Sequence, residues 1–360
     1  MEHIGFSQTT IQWFRSYLTN RKFFVVVGDA SSNNADLNCG VPQGSILGPL
    51  LFLLYVNDME QAVECDLFLY ADDSCLVYQH KDTKVIENVL NKDFSSICNW
   101  FIYNKLSIHL GEDKTKCILF CPKSKLSKTN KLNIQHKGIT INQYDKVTYL
   151  GCILDETLSG EAMALNVLSK INKKLKFLYR KNDFLTPLLR RMLCNSLIQP
   201  HFDYACSAWY PNLNKGIKEK LQITQNKCIR FCLKLGNRSH IGVKEFETIN
   251  WLPVGARVEQ CVNTHIYKRF HNLCPDFMKN VFPLPDFSER CTRKSSFKLM
   301  KPFRKSVYGQ RALSFLGPSI WNNLPNSIKG TTSVNSFKHS IKKHYFNSMK
   351  CKEKDNFLHF

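Results

Sequence analysis

Apolar positions near the start of the chain recur at helical spacing. Trp13, Phe14, Tyr17 and Leu18 predict a helix over residues 9–18, ended by Thr19-Asn20. The run 21–27 (RKFFVVV) reads as a strand, and the small polar residues 28–34 as a turn. A Gly- and Pro-rich loop after Gly40 runs into an apolar helix that continues to about Glu60. Two short apolar runs, 67–70 and 75–78, flank Ala71-Asp72-Asp73-Ser74, the pattern of a β-hairpin with two carboxylates at its tip. An amphipathic helix over 84–103 places Ile86, Val89, Leu90, Phe94, Ile97 and Trp100 on one face. Residues 118–120 and 146–154 read as further strands, which makes an α+β layer up to about residue 155.

Beyond that point the pattern changes. Segments 163–179, 187–197, 218–235 and 254–272 have helical period, basic on one side and aliphatic or aromatic on the other. Prolines and charges break the pattern over 275–302, as in loops or a linker. A compact segment follows at 309–325, and a basic helix around 336–346. The organisation expected is therefore three parts: 1–155, a helical basic region 156–275, and a basic C-terminal segment 276–360.

Composition narrows the function classes. A hydrophobic content of 43% with 25 Phe supports packed cores and excludes a disordered chain. The longest apolar run, 46–56, contains Gly48 and Pro49 and is too short to span a bilayer, so no membrane partner is expected. Residues 1–6 are short and mixed and do not read as a signal peptide, so a soluble, intracellular chain with reduced thiols is expected. The 15 cysteines are odd in number and scattered. Cys117/Cys121, Cys228/Cys232 with His240 beyond, and Cys261/His265 raise the question of zinc. Residues 227–234 (KCIRFCLK) fit an amphipathic helix better than a zinc finger or knuckle.

Charge is divided unevenly. Residues 1–150 hold 15 Lys/Arg and 15 Asp/Glu; residues 151–360 hold 35 and 14, and so carry the whole formal surplus of +21. A basic half beside a neutral one is the footprint of a nucleic-acid binder, although a solvated basic surface has the same composition.

The candidate chemistry lies in the neutral part. Adjacent carboxylates repel unless a cation neutralises them, and oxygen-only ligands on a tight turn suit Mg²⁺. A solvated turn is the plain alternative for Asp72-Asp73 taken alone. Their context is distinctive. Tyr70-Ala71-Asp72-Asp73 resembles the Y-x-D-D motif of reverse transcriptases, and residues 39–52 (CGVPQGSILGPLLF) resemble that family's glycine-rich segment. Residues 104–109 (NKLSIH) with Lys114-Thr115-Lys116 are similar to its next motif, and Tyr149-Leu150-Gly151 to its primer-grip strand. The segment 13–21 (WFRSYLTNR) and the late stretch 317–325 (GPSIWNNLP) resemble jockey-like non-LTR retrotransposon proteins.

What the resemblance implies is an RNA-directed DNA polymerase. Residues 1–155 would be a partial right-hand palm, an antiparallel sheet with helices, followed by a helical thumb-like region. Asp72 would ligate the catalytic Mg²⁺ (Mn²⁺ can replace it), with Asp73 as a second ligand or support. Gln43 and Gly44 would lie near the incoming nucleotide and template, and Lys114 would correspond to the lysine proposed to protonate the leaving pyrophosphate. The insertion Gly111-Glu112-Asp113 departs from the commoner spacing there, and a surface lysine is the alternative. The partners implied are an RNA template, a DNA primer and deoxynucleoside triphosphates, and the compartment is the nucleus. The family's first metal-binding aspartate precedes the segment equivalent to 13–21. Asp29, Asp36 and Asp58 do not sit in its strand context, so the chain alone is expected to be inactive or nearly so. The alternative is a non-catalytic nucleic-acid-binding remnant of a mobile element.

Overall fold

A computed structural model describes residues 1–42, 44–111, 114–126, 131–284 and 297–357. The chain forms two compact units, Met1–Cys117 with Lys128–Gln143, and Ile118–Ser127 with Tyr144–Phe360.

The first unit mixes helices with small antiparallel sheets. Helix α1 (Gln8–Leu18) is capped by Ser7, whose hydroxyl accepts from Thr10 N, and it buries Phe14. Strands β1 (Arg21–Phe23), β2 (Val26–Val27), β3 (Ala30–Ser31) and β4 (Ala35–Leu37) replace the single strand expected over 21–27. β1 pairs with β4 and β2 with β3, so the ladder breaks at Phe24 and Val25. Helix α2 (Leu47–Val56) precedes the hairpin of β5 (Asp66–Tyr70) and β6 (Asp73–Val77). Helix α3 (Thr83–Tyr103) begins at Asp82, which accepts from Lys84 N, and buries Ile86, Phe94, Ile97 and Cys98. A second hairpin, β7 (Ile134–His136) with β8 (Ile139–Ile141), was not expected from the pattern. The expected strand at 118–120 does not form: pairing there is limited to an isolated bridge between Cys117 and Gln143, with no neighbour to extend it.

The second unit is mainly helical. After the short α4 (Lys123–Leu126), β9 (Lys146–Tyr149) and β10 (Cys152–Asp155) form a hairpin where one strand was expected. Its two-residue turn, Leu150-Gly151, has positive φ at both positions (46° and 73°), as a tight hairpin turn requires. Helices α5 (Glu161–Arg180), α6 (Pro187–Leu197), α7 (Gln199–Asp203), α8 (Cys206–Trp209), α9 (Lys215–Leu233) and α10 (Val243–Ile249) surround one core. Cys194, Cys228 and Cys232 are buried in it, the last two as an amphipathic helix over 227–234 requires.

Helices α11 (Val254–Phe270), α12 (Phe277–Val281), α13 (Val307–Arg311), α14 (Leu313–Asn322), α15 (Asn326–Lys329) and α16 (Val334–Phe357) follow. Val262, Phe282, Trp321, Phe337 and Ile341 centre a second core. Among the described residues no helix is long and apolar enough to cross a membrane.

The stretch 317–325 serves packing. Trp321 is fully buried, stacks on Phe270 at 5.3 Å and donates from Nε1 to Phe297 O at 2.7 Å. A Cβ on Gly317 would stand 2.4 Å from Cε1 of the buried Phe282 and 3.2 Å from Ile266 Cδ1. Gly317→Ala is therefore expected to destabilise the protein by about 2 kcal/mol. At so close an approach the overpacking cost lies at the upper end of roughly 1–3 kcal/mol and exceeds the gain of about 1 kcal/mol in helix propensity. An unchanged urea midpoint in this variant would contradict that packing.

Candidate active site

Tyr70 pairs directly with Asp73, so Ala71 and Asp72 alone make the hairpin loop. Ala71 has φ 52°, a left-handed conformation that costs a residue with Cβ about 1–2 kcal/mol and usually falls to Gly or Asn. Such strain persists where the surrounding structure enforces it, often beside functional groups. Asp72 occupies the tip and Asp73 opens the returning strand.

Strand alternation assigns the two faces. Leu67, Leu69 and Leu76 turn toward Val56, Met59 and Ile97, while Tyr70 and Asp73 share the opposite face with Phe68. Tyr70 is 64% exposed and Phe68 53%. Both aspartates are exposed, so water, a cation or a phosphate-bound metal can reach their oxygens. Two adjacent carboxylates offer the hard oxygen donors that Mg²⁺ or Mn²⁺ takes, and to that extent they fit the ion. Among the described residues no group of three or more His, Cys, Asp or Glu is placed to hold a metal.

The hairpin is held from below by a residue that the sequence pattern did not single out. Asp93 on α3 is 1% exposed, and its Oδ2 accepts from Glu64 N at 2.9 Å and Cys65 N at 2.7 Å. Those two amides lead directly into β5. Burial, and after it the hydrogen bond and charge of Asp93, push the Cys65 thiol up to about 12. The available signal was an acid inside the apolar stripe of α3, next to Phe94 and seven residues after Ile86. Asp93→Ala leaves two amides without an acceptor and is expected to cost about 2–3 kcal/mol, read as a lower denaturation midpoint. Wild-type stability in that variant would remove Asp93 from its anchoring role.

The other predicted residues lie elsewhere in this unit. Gly44 has φ 78° and is exposed, a backbone that a Cβ would strain. Ser45 Oγ accepts from Gly48 N at 3.0 Å at the entry to α2. Gln43 lies outside the described residues. Arg21 braces the start of the loop: its guanidinium donates to the carbonyls of Cys39 (3.0 Å) and Gly40 (2.5 Å), and its Nε to Leu18. Lys114 is exposed, in a turn where its N–H donates to Gly111 O at 3.0 Å. The hairpin thus brings Asp72 and Asp73 together, whereas Gly44 and Lys114 sit on separate loops.

In the second unit, the turn Leu150-Gly151 is braced by Tyr204, whose hydroxyl donates to Leu150 O.

Residues 1–154, which include this hairpin and the glycine loop, match the family model described as reverse transcriptase (RNA-dependent DNA polymerase). They belong to the reverse transcriptases of non-LTR retrotransposons. The chain is 26% identical over 227 residues to a probable RNA-directed DNA polymerase from transposon X-element of Drosophila melanogaster, covering 60% of this chain and 24% of that protein. To the RNA-directed DNA polymerase from mobile element jockey of Drosophila melanogaster it is 24% identical, with the same coverage. A Pol polyprotein from the type-1 retrotransposable element R1 of Nasonia vitripennis is 23% identical over 285 residues, 76% of this chain and 81% of that relative. The chain thus spans about a quarter of the length of the X-element and jockey relatives. These similarities are longer than residues 1–154 and so run past residue 154, into the helical region that carries the charge surplus.

Proposed function

We propose that this reverse transcriptase chain contributes the palm hairpin and a nucleic-acid-holding helical region to RNA-templated DNA synthesis. The observation that carries the reading is the exposed pair Asp72-Asp73 at a strained two-residue turn within the reverse transcriptase match. In this reading the substrates are an RNA template, a DNA primer and deoxynucleoside triphosphates. Asp72 holds Mg²⁺ or Mn²⁺ and Asp73 supports it. Bound there, the metal supplies neutralisation of phosphate charge and alignment for in-line displacement. The residues' own part is to present two carboxylates on a rigid turn, while Gly44 permits close backbone approach and Lys114 offers a proton donor. Two carboxylates are a partial ligand set. Substrate phosphates and water complete it.

A nucleic-acid-binding role, with or without catalysis, rests on one specific observation. Helix α5 buries Met163, Val167, Ile171, Leu175 and Leu178, and exposes Lys170, Lys173, Lys176 and Arg180 on its other side beside Phe177 and Tyr179. Cations for phosphates with aromatic faces for bases are the elements of sequence-tolerant strand binding, and in the first reading the same face is the thumb-like surface.

Primer extension on an RNA template with Mg²⁺ separates the two. Extension by the chain, or by a longer version of it, that a chelator abolishes supports polymerisation. Strand binding that weakens steeply with salt, with no extension in either version, leaves the binding role.

A further inference from the structure

The second unit contains a cavity of about 250 Å³ that the polymerase reading does not use. Four helices or their ends line it. Arg191 and Asn195 come from α6, Gln199 and Asp203 from α7, the chain after α10 gives Asn250 and Trp251, and α11 gives Arg257. At its edge Lys342 of α16 donates from Nζ to Asn250 O at 2.5 Å.

The charges do not balance. Arg257 clamps Asp203 with Nε and Nη2, which uses the one carboxylate lining the cavity. Arg191 has no carboxylate partner among the described residues, and Lys342 adds a third cation. Burial, then Arg257 and Arg191, pull the Lys342 ammonium down to about 8, as expected for cations gathered without enough counter-charge.

The polar groups are equally incomplete. Gln199 is 3% exposed, yet neither its Oε1 nor its Nε2 has a hydrogen-bond partner among the described residues. Buried amides are nearly always paired, so one left open on a cavity wall is a group awaiting a ligand. Asn195 Oδ1 accepts from Trp251 Nε1 at 2.7 Å, which leaves the Asn195 amide hydrogens for the cavity. Water could satisfy the amides, but water does not offset the clustered cations.

We propose that this cavity seats a phosphate group, belonging either to a polynucleotide backbone or to free inorganic phosphate. Arg191 supplies the charge-assisted contacts, Gln199 and Asn195 donate amide hydrogens, and Lys342 closes the rim. No residue of α5 lines the cavity. It lies wholly within the second unit, so its test does not depend on polymerase activity.

The test uses the full chain with two probes. Thermal unfolding is compared in sodium phosphate and in sodium chloride at equal ionic strength, for wild type, Arg191→Gln and Gln199→Leu. Wild type is expected to gain stability from phosphate beyond the chloride effect, and both variants to lose that excess. Gln199→Leu removes an unpaired buried amide, so it should fold at least as well as wild type, and its loss of response cannot be put down to misfolding. Binding of a roughly 12-nucleotide RNA is then followed by fluorescence anisotropy across a salt series. A polynucleotide occupant predicts about tenfold weaker binding in both variants. The slope of log affinity on log salt should fall by about 1 in Arg191→Gln and stay unchanged in Gln199→Leu. Loss of the phosphate response with unaltered RNA binding identifies free phosphate as the occupant. No excess response in wild type, or an excess retained in both variants, overturns the proposal.

Discussion

Asp72→Ala is expected to lower RNA-templated primer extension at least about a thousandfold, in this chain or in any longer version that is active. A catalytic metal supplies several kcal/mol of charge stabilisation, and about 4 kcal/mol corresponds to a thousandfold in rate. Asp72 is the residue placed to fail alone. It sits at the tip of the β5–β6 turn, exposed, and contributes nothing to the packing of Leu67, Leu69 and Leu76 beneath it. Its replacement should leave the melting temperature unchanged, because the strain at the corner belongs to Ala71. Template–primer affinity should also persist, since the basic surface of α5 lies in the other unit. The expected signature is thus a fall in kcat with KM for the template–primer nearly constant. Asp72→Asn, which keeps the shape and removes the charge, should lose nearly as much. A variant that polymerises at the parental rate would refute the metal-ligand role of Asp72.

The residues that carry this expectation were legible because their pattern is local. Apolar runs of alternating exposure around Ala71-Asp72 specify a hairpin whatever surrounds it, and the stripe from Ile86 to Trp100 specifies α3. Features that depend on pairing or burial were not. The single strand read over 146–154 is a hairpin because Leu150 accepts a positive φ, a conformation that no preference for Leu announces. The run 21–27 is apolar from Phe23 onward, yet its two ends pair with different partners. The turn Lys137-Gly138 between β7 and β8 did offer a signal, since Gly at the second corner position is common in tight hairpins. The carboxylate pair could be read from the sequence, but its anchor Asp93 could not be assigned without seeing which amides it meets. The phosphate cavity was still less visible, since Arg191, Gln199 and Arg257 come from three helices with no motif in common. Sequence showed a basic half; only the fold shows where cations lack counter-charges.

The largest stability effect is expected at Asp155, the last residue of β10, where burial and charge compete. The carboxylate is 7% exposed, which by itself disfavours ionisation. It is nevertheless ringed by donors. Its Oδ1 accepts from Thr157 Oγ1 (2.6 Å), Thr157 N (3.2 Å) and Ser159 N (2.9 Å), and its Oδ2 from Ser159 Oγ (3.0 Å) and Gly160 N (3.1 Å). Burial raises its pKa, but the hydrogen bonds from Thr157 and Ser159 outweigh it, and the carboxyl titrates below its ordinary value. The cluster turns the chain from β10 into α5 through Gly160, where φ is 72° and a Cβ would stand 2.4 Å from Trp209 O. Asp155→Ala removes one acceptor group from five donors at once, three of them backbone or side-chain groups with little access to water. Hydrogen bonds to a charged acceptor contribute roughly 1.5–3 kcal/mol each and do not add fully, so a loss of about 4 kcal/mol is expected. The pH dependence follows from the sign of the shift. Because the folded-state pKa is depressed, the stabilisation is complete above the unfolded value of about 3.9 and fades as pH falls through the lower folded value. Denaturant midpoints measured from pH 6 downward should therefore converge for wild type and Asp155→Asn only below about pH 4. A constant difference between the two down to the acid limit would mean that the charge of Asp155 contributes nothing, and that the turn into α5 is held by shape alone.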